Sequence, residues 1–382
     1  MNPSTNSGEK SIELHKLHAG KLVIQSKVPL QTNEDLTVAY TPGVGAVSMA
    51  IKNDPALASE YTLKRNSVAI VSDGSAVLGL GNIGPLGAIP VMEGKAVLFK
   101  KFANIDGFPI CLDTQDTEEI IETIKRIAPV FGGINLEDIA APRCFEIEAR
   151  LRTELDIPVM HDDQHGTAVV VLAGLINSLK VKGISAGDAR VVLSGAGAAG
   201  TAIAKLLKEY GFEHITICDS KGIIHSGRTD LNSDKQALAE LSGATAGGSL
   251  ADAIAGADIF VGVSVAKALS VEMVKSMNPE PIIFALSNPE PEIMPDLAHS
   301  AGALIVATGR SDFPNQVNNV LAFPGIFRGA LDNKVRLLDD QMFLRAAQSL
   351  ADLVLDPTTV KILPSPFEPG VSSAVASAIT NS

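Results

Sequence analysis

Acidic side chains near the middle of the chain have the type and arrangement of ligands for a divalent cation. Glu137 and Asp138 stand together, and Asp162 and Asp163 follow a short apolar run further along. Carboxylate oxygens suit hard cations, whereas zinc sites use mainly His and Cys. We therefore predict that Glu137, Asp138 and Asp163 bind Mg2+ or Mn2+. Asp162 is predicted to lie beside them, supporting a ligand or relaying a proton.

The alternative for these acidic residues is a solvated turn or a helix N-cap. Neighbouring carboxylates without a cation repel one another and raise their own pKa values, so a purely structural role needs several compensating donors. His161 and His165 flank Asp162 and Asp163 in the sequence. Such histidines are more often core residues, or partners of the ligands, than ligands themselves, so we leave them out of the predicted set.

A glycine-rich turn follows the acidic segments. It comes after the apolar run 191–194 and before a helical run that starts at Thr201, and Asp219 ends the next apolar run. A strand, a glycine turn and a helix, with an acid at the end of the next strand, are typical of dinucleotide binding. The alternative is a merely tight strand-to-helix turn. The predicted cofactor-binding residues are Gly195, Ala196, Gly197, Ala198, Ala199, Gly200, Asp219 and Asn288.

The dinucleotide itself stays open between NAD and NADP. A carboxylate at Asp219 would accept hydrogen bonds from the adenosine ribose and so favours NAD. Ser220 and Lys221 follow it and could hold a 2′-phosphate, which favours NADP slightly. A hard cation beside a redox cofactor suggests metal-assisted oxidation of a hydroxy acid.

Strand and helix patterns that position these residues alternate along the chain. From Arg190 onward the alternation predicts a doubly wound, parallel sheet of the Rossmann type. The earlier part mixes strands at 67–72 and 96–99 with a helix at 117–127 that we expect Thr117 to cap. The fold class is therefore α/β, with a smaller N-terminal mixed α/β domain and a small mixed sheet in it.

The predicted boundary between the two domains lies near Asp163. Residues 1–163 would form the N-terminal domain for substrate and metal, and residues 164–382 the dinucleotide-binding domain with C-terminal helices. A chain of 382 residues is long enough for two such cores.

Composition argues against several classes of protein. Lys and Arg number 31 against 43 Asp and Glu, for a net charge of −12, and no basic run is present, which argues against nucleic-acid binding. The uncharged run 75–92 contains glycines and prolines that break a spanning helix, so no membrane span is predicted. The three cysteines lie far apart, as expected of a cytoplasmic protein without disulfides.

Further polar residues are placed where they could act on a substrate. Tyr40 precedes a Pro-Gly turn, and Lys95 lies between a glycine-rich loop and a predicted strand, where burial or a nearby metal would lower its pKa towards that of a base. Asn288 ends an apolar run, and Asn318 and Asn319 are adjacent. Amides there can hold a carboxylate or carboxamide, although Asn before Pro also starts turns. Spacing alone selects neither Tyr40 nor Lys95.

Taken in order, these segments resemble the malic enzymes, in particular the short bacterial type, over nearly the whole chain. The resemblance is carried by segments 39–44, 77–81, 94–95, 136–138, 162–167, 195–200, 286–289, 318–320 and 323–325. It implies that Tyr40 is a general acid and Lys95 a general base, with the metal ligands as predicted above. It also implies substrate contacts from Lys95, Asn288, Asn318 and Asn319. Long eukaryotic malic enzymes carry an arginine where this chain has Ala76, so the partner of the substrate carboxylate stays open.

The reaction implied by the resemblance is the oxidative decarboxylation of L-malate to pyruvate and CO2, with NADP+ or NAD+ and with Mg2+ or Mn2+. Lys95 would take the proton of the C2 hydroxyl as hydride leaves, and Tyr40 would protonate C3 after CO2 is lost. A homodimer with the N-terminal region in its interface is also implied. The alternatives are a lyase that decarboxylates oxaloacetate without net redox change, which could be a side activity of the same site, and a noncatalytic dinucleotide sensor.

Overall fold

A computed structural model describes residues 3–77 and 79–381 of the chain. Leu78, within the segment 77–81 that contributes to the resemblance, lies outside the described residues. None of the helices in the described ranges is both long enough and apolar enough to cross a membrane.

The N-terminal half contains a four-stranded sheet with the order β2-β1-β3-β4. Its strands are β1 (Ser67–Ser72), β2 (Asp106–Cys111), β3 (Gly133–Leu136) and β4 (Val159–His161). All three strand pairs are parallel, so the expectation of a small mixed sheet is wrong. Parallel pairing places the carboxyl ends of β1, β3 and β4 at one edge of the sheet.

Three helices pack around this sheet. They are α5 (Gly84–Ala103), α6 (Thr117–Ile127) and α7 (Arg143–Glu154). The predicted strand at 96–99 is wrong, because these residues lie within α5; a short apolar run does not distinguish a strand from a buried helical face. The bounds of α6 are as predicted, but its N-cap is Asp116, whose side chain accepts from the Glu119 N–H, so Thr117 is the first helical residue.

Residues before β1 form an extended helical segment. Its helices are α1 (Pro3–His18), α2 (Asn33–Ala39), α3 (Val44–Asn53) and α4 (Ala58–Tyr61), with short 3-10 helices at Pro55–Leu57 and Leu63–Asn66. The Lys21 ammonium, just after α1, donates to the carbonyl of Pro90 in α5 at 2.6 Å. None of the residues of α2, α3 and α4 is buried. We call residues 33–66 the N-terminal arm.

The C-terminal half contains a six-stranded sheet with the order β10-β9-β8-β5-β6-β7. Its strands are β5 (Arg190–Ser194), β6 (His214–Asp219), β7 (Gly222–Ile223), β8 (Ile259–Gly262), β9 (Ile282–Ala285) and β10 (Ile305–Thr308). All pairs are parallel except β6 with β7, which is antiparallel. The predicted α/β class with a doubly wound parallel sheet is confirmed, and the strand order reverses beside β5, where such folds bind dinucleotides.

The remaining helices surround this second sheet. They are α8 (Asp162–Lys182), α9 (Ala198–Tyr210), α10 (Ser233–Ser242), α11 (Leu250–Ile254), α12 (Val271–Ser276), α13 (Pro295–Ser300), α14 (Phe323–Asp332), α15 (Asp340–Asp352) and α16 (Val371–Ser377), with a 3-10 helix at Asn319–Leu321. The apolar α8 is almost wholly buried, and its Asn177 amide donates to the carbonyls of Ala351 and Ile362, both at 2.9 Å. This rigid helix begins at the predicted acidic site.

Candidate active site

Two neighbouring strand ends bring the acidic residues together. Leu136, the last residue of β3, is paired with His161, the last residue of β4. Each strand end is followed directly by acidic residues, so the carboxylates of the two segments converge. One ligand atom from each of Glu137, Asp138 and Asp163 lies within 4.8 Å of the others.

Backbone geometry fixes this acidic cluster. The Asp138 N–H donates to Asp163 Oδ2 at 2.8 Å, which joins the two strand ends. Asp138 also has a φ of 55°, a left-handed conformation that is uncommon for a residue with a side chain. Such conformations concentrate at sites where function requires a particular geometry. The predicted ligands are therefore placed together, on elements that leave little freedom.

Lys95 lies at the centre of the cluster. The sequence predicted that Lys95 lies at a loop-to-strand junction, but the residue lies within helix α5. Its side chain is 7% exposed. Its ammonium lies 2.7 Å from Glu137 Oε1 and 2.6 Å from Asp162 Oδ2. It also lies 4.2 Å from the centre of the Phe323 ring. The structure thus brings Lys95 and the predicted acidic residues into one buried site.

The pKa of Lys95 differs from the expectation. Burial lowers it, but the nearby charges of Asp162 and Glu137 and their hydrogen bonds outweigh burial and raise it above its ordinary value. The sequence led us to expect that burial or a nearby metal lowers this pKa; burial does act in that direction, but the fold that buries the ammonium also surrounds it with carboxylates that outweigh burial. The pKa of Glu137 is raised as well: burial raises it well above the usual range, the Lys95 charge opposes this, and the charge of Asp163 adds to it.

The charges in the site favour a bound cation. The cluster contains four carboxylates, those of Glu137, Asp138, Asp162 and Asp163, and one ammonium, that of Lys95, which contacts Glu137 and Asp162. Uncompensated buried charges are costly, so this excess of negative charge is best balanced by a divalent ion. All donors are carboxylate oxygens, which fits Mg2+ or Mn2+ better than zinc.

Asp162 connects Lys95 to the C-terminal half. It is fully buried, and its Oδ2 also accepts from the Asn319 amide at 2.5 Å. A Cβ atom at Gly166 would come within 1.8 Å of Asp162 Oδ1, so only glycine fits one helical turn after this aspartate. Asn318 plays a different part from Asn319, because its side chain accepts from the Val320 N–H and caps the 3-10 helix.

Asn288 lies where the two halves of the chain meet. A Cβ atom at Gly79, in a loop of the N-terminal half, would lie 2.3 Å from the Asn288 carbonyl oxygen. A Cβ atom at Gly309, just after β10, would lie 2.7 Å from the Asn288 amide nitrogen. Because neither glycine has a Cβ atom, Asn288 can lie against the backbone of both at the carboxyl edge of the sheet.

The glycine turn has the geometry of a dinucleotide site. Gly195 has a φ of 120°, and a Cβ atom there would lie 2.6 Å from the Val263 carbonyl oxygen. A Cβ atom at Gly200 would lie 1.9 Å from the Gly195 carbonyl oxygen. Gly197, which precedes α9, has open space where its Cβ atom would be, so a phosphate could approach the helix N-terminus there. Ala196, Ala198 and Ala199 complete the turn.

Asp219 ends β6 as predicted but is already engaged. Its oxygens accept from Arg228 at 2.8 and 3.1 Å, from Lys235 at 2.6 Å and from the Lys221 N–H at 2.9 Å. Burial raises its pKa, but these hydrogen bonds prevail and lower it to about 2. Sequence reasoning missed Arg228 and Lys235. Basic residues shortly after the predicted ribose acid were the available signal.

Tyr40 is not brought to the cluster within the described chain. It is 67% exposed and ends α2, and its backbone bonds with Leu36 and Val44 remain inside the arm. Arg143, which the sequence reasoning also missed, donates to Asp73 Oδ2 at 2.9 Å and to Ser75 Oγ at 3.1 Å. The chain therefore places a guanidinium, at the start of α7, beside the loop that contains Ala76.

Comparisons with protein families match both halves of the chain. Residues 19–152 match the family model described as malic enzyme, N-terminal domain. Residues 164–381 match the model described as malic enzyme, NAD binding domain.

Individual relatives agree with the family models. The chain is 54% identical to a bifunctional malic/malolactic enzyme of Bacillus subtilis, over 97% of this chain and 92% of the relative. It is 56% identical to an NAD-dependent malic enzyme of Geobacillus stearothermophilus, over 94% and 76%. It is 48% identical to an NADP-dependent malic enzyme of Rhizobium meliloti, over 98% of this chain and 51% of the relative. The crystal structure of a Pyrococcus horikoshii malic enzyme has a TM-score of 0.94 and 47% identity, over 97% of this chain and 89% of that one.

Proposed function

The chain belongs to the malic enzyme family, whose reaction is the oxidative decarboxylation of malate with a nicotinamide cofactor, and we propose which of its residues carry out each step of that reaction. The observation that carries the proposal is the buried contact of Lys95 with Glu137 and Asp162, beside Asp138 and Asp163. A proton acceptor, a cation site and a dinucleotide-binding sheet then lie in one chain.

Glu137, Asp138 and Asp163 are proposed to hold Mg2+ or Mn2+. Their oxygen donors, their spacing and the excess of negative charge around Lys95 support this. When bound, the ion supplies Lewis acidity at the oxygen on C2 of malate and helps to orient the substrate. The nicotinamide supplies the hydride acceptor.

Lys95 is proposed to take the proton of the C2 hydroxyl. It must first lose its own proton, and Glu137 is one of two carboxylates that hold the ammonium form. With a cation bound by Glu137, this carboxylate would hold the ammonium form less strongly, and the Lys95 amine would be available as a base. Asp162, at 2.6 Å from the same nitrogen, is proposed to receive the proton in turn, while Asn319 fixes its orientation.

Tyr40 is proposed to protonate C3 in the active site of a second copy of the chain. The arm that carries it has no buried residue in α2, α3 or α4, and several of its apolar side chains are exposed, among them Val38 at 70% and Met49 at 52%. An apolar segment of this kind needs a partner surface. Helix α5, which carries Lys95, exposes Leu86 at 81% and provides such a surface. A homodimer with exchanged arms would complete each site.

Mixing two inactive variants tests this arrangement. Tyr40→Phe and Lys95→Met would each be inactive as homodimers, but a mixed dimer would contain one site with both wild-type groups if the tyrosine acts across the interface. Refolding equal amounts together should then restore about a quarter of wild-type turnover. Separately refolded samples, combined afterwards without exchange, are the control. Absence of any recovery, with mixed dimers shown to be present, would contradict exchange.

NADP+ is the proposed cofactor in preference to NAD+. Arg228 and Lys235 occupy the oxygens of Asp219 that an NAD ribose would otherwise use. They also neutralise the carboxylate, which would otherwise repel a 2′-phosphate. Asn288, at the carboxyl edge of the sheet, is proposed to contact the nicotinamide end or the substrate. A substrate contact from Asn318 would require its side chain to give up the hydrogen bond from the Val320 N–H that caps the 3-10 helix.

The proposed function is tested by absorbance of the reduced nicotinamide with L-malate and Mn2+, with NAD+ and NADP+ compared. We expect reduction with either dinucleotide to require the metal, to stop with a chelator and to yield equal amounts of pyruvate. A larger kcat/KM with NAD+ would overturn the cofactor proposal alone. Decarboxylation of oxaloacetate without any reduction from malate would instead place the site in the lyase class.

A further inference from the structure

A buried carboxylate outside the metal cluster ties together the loops that follow two adjacent strands. Glu292 is 0% exposed. Its Oε1 accepts from the Ser264 N–H and its Oε2 from the Ser287 N–H, both at 3.0 Å. Ser264 follows β8 and Ser287 follows β9, and these strands pair in parallel. One side chain therefore sets the spacing of two loops at the carboxyl edge of the sheet.

The surrounding backbone is adapted to this side chain. A Cβ atom at Gly262, the last residue of β8, would lie 2.4 Å from the Glu292 carboxyl carbon, so the glutamate lies directly against bare backbone. The Glu292 carbonyl oxygen in turn accepts from the Leu269 N–H at 3.1 Å. Among the described residues, Glu292 takes part in no ion pair with a cationic side chain. Its hydrogen bonds are instead to backbone amides.

This carboxylate connects the glycine turn to Asn288. Ser264 Oγ lies 3.1 Å from Ser194 Oγ, and Ser194 is the residue just before the glycine turn. Ser287, on the other side, immediately precedes Asn288. In open sheets of this type the dinucleotide lies across the carboxyl ends of the strands, so the nicotinamide half passes these loops. A series of hydrogen bonds from Ser194 through Ser264 and Glu292 to Ser287 thus connects the residue before the glycine turn with the residue before Asn288.

We infer that Glu292 is a positioning residue for the dinucleotide, which holds the loops after β8 and β9 at the separation that receives the nicotinamide half. This inference rests on the proposed function for the identity of the cofactor. The chemistry requires a carboxylate rather than an amide. Two N–H donors need two acceptor oxygens, and glutamine would present an NH2 group to one of them.

Glu292→Gln tests the inference, with Glu290→Gln as the matched control. Glu290 lies two residues away, and its side chain is 53% exposed and paired with Lys267 at the surface. The N–H left unpaired should displace its loop from the separation that the dinucleotide requires, and this displacement should weaken dinucleotide binding by about tenfold. We therefore expect Glu292→Gln to raise KM for the dinucleotide by about tenfold, with KM for malate and the Mn2+ affinity within about twofold. Glu290→Gln should leave all of these values within about twofold.

A binding measurement without turnover separates this inference from the proposed function. The fluorescence of reduced NADP or NAD changes on binding and needs neither malate nor catalysis. Weaker binding of the reduced dinucleotide by Glu292→Gln, at a temperature where the variant is folded, would support the positioning role even if malate were not oxidised. Unchanged dinucleotide binding would overturn it. Equal losses in malate, Mn2+ and dinucleotide binding would also overturn it, because they would indicate only a structural role.

Discussion

Replacement of Lys95 by methionine should have opposite effects on turnover and on metal affinity. Methionine keeps most of the volume of the side chain but removes the ammonium, which lies 2.7 Å from Glu137 Oε1 and 2.6 Å from Asp162 Oδ2. Loss of the proposed base should slow malate oxidation. Loss of a positive charge from a cation site should make that site bind Mn2+ more tightly.

The magnitudes follow from the geometry. A positioned general base contributes roughly 10²- to 10⁴-fold to a rate, which corresponds to about 3–5 kcal/mol of barrier. Two unit charges about 4 Å apart at an effective dielectric constant of about 20 interact by about 4 kcal/mol. Relaxation and the repulsion left among the carboxylates reduce this figure, so we expect Mn2+ affinity to rise by about tenfold or more.

The assay combines steady-state reduction of the dinucleotide with titration calorimetry of Mn2+. Lys100→Met is the matched control, since Lys100 is on the same helix but is 54% exposed and pairs with Asp106 outside the cluster. It should change neither quantity. Asp163→Asn should move Mn2+ affinity in the opposite direction from Lys95→Met, because it removes a proposed ligand.

Two results would refute this reasoning. Turnover of Lys95→Met within a few-fold of wild type would remove Lys95 as the base. Weaker or unchanged Mn2+ binding by the same variant would show that the cation does not bind beside Lys95, even if turnover were lost. Binding of reduced dinucleotide by Lys95→Met should remain near wild type, because the glycine turn is on other elements.

Two further predictions concern residues that support the site. Gly166→Ala should reduce turnover at least about 100-fold, because its Cβ atom would lie 1.8 Å from Asp162 Oδ1 and displace that carboxylate. Gly187→Ala is the control and should be tolerated, because the nearest atom to its Cβ would be Ser185 Oγ at 4.0 Å. Normal turnover of Gly166→Ala would contradict the packing argument. Glu148 is buried, and burial raises its pKa, but the charge and hydrogen bond of His165 and the bonds of His161 lower it to about 2. Since its folded pKa lies below the ordinary 4.5, it contributes stability above that pH and loses it as pH falls towards 2. Glu148→Gln should therefore be destabilised by about 3 kcal/mol near neutral pH, and that deficit in the free energy of unfolding should shrink in acid; a constant deficit from denaturant titrations would count against the ionised form.

Local sequence patterns were sufficient for much of the fold and part of the site. The strand, glycine turn and helix around Gly195 identified the dinucleotide half, because each element has its own short-range periodicity. The limits of such patterns show at residues 96–99, where an apolar run was assigned to a strand and lies in α5. Four consecutive apolar residues are compatible with either element, and only the sheet beneath them decides.

The arrangement of charges was less accessible from the sequence. Lys95 was expected to have a lowered pKa, but its partners Glu137 and Asp162 come from distant segments and raise it. Asp219 was expected to be a free acceptor, but Arg228 and Lys235 fold back onto it. In both cases the sequence singled out the side chain but did not show the charged groups that surround it in the fold.

By itself, the sequence determined which chemical groups this protein has and which elements carry them, because helix, strand and turn preferences act over a few residues. It therefore determined the α/β class, the glycine turn and the acidic segments. Only the tertiary structure decided that β3 and β4 pair so that their carboxylates meet, that α5 brings Lys95 between them, and that Tyr40, at the end of α2, is 67% exposed. The physical reason is that pKa values, cation sites and shared interfaces depend on distances of a few ångströms between residues far apart in sequence, which strand pairing and helix packing set.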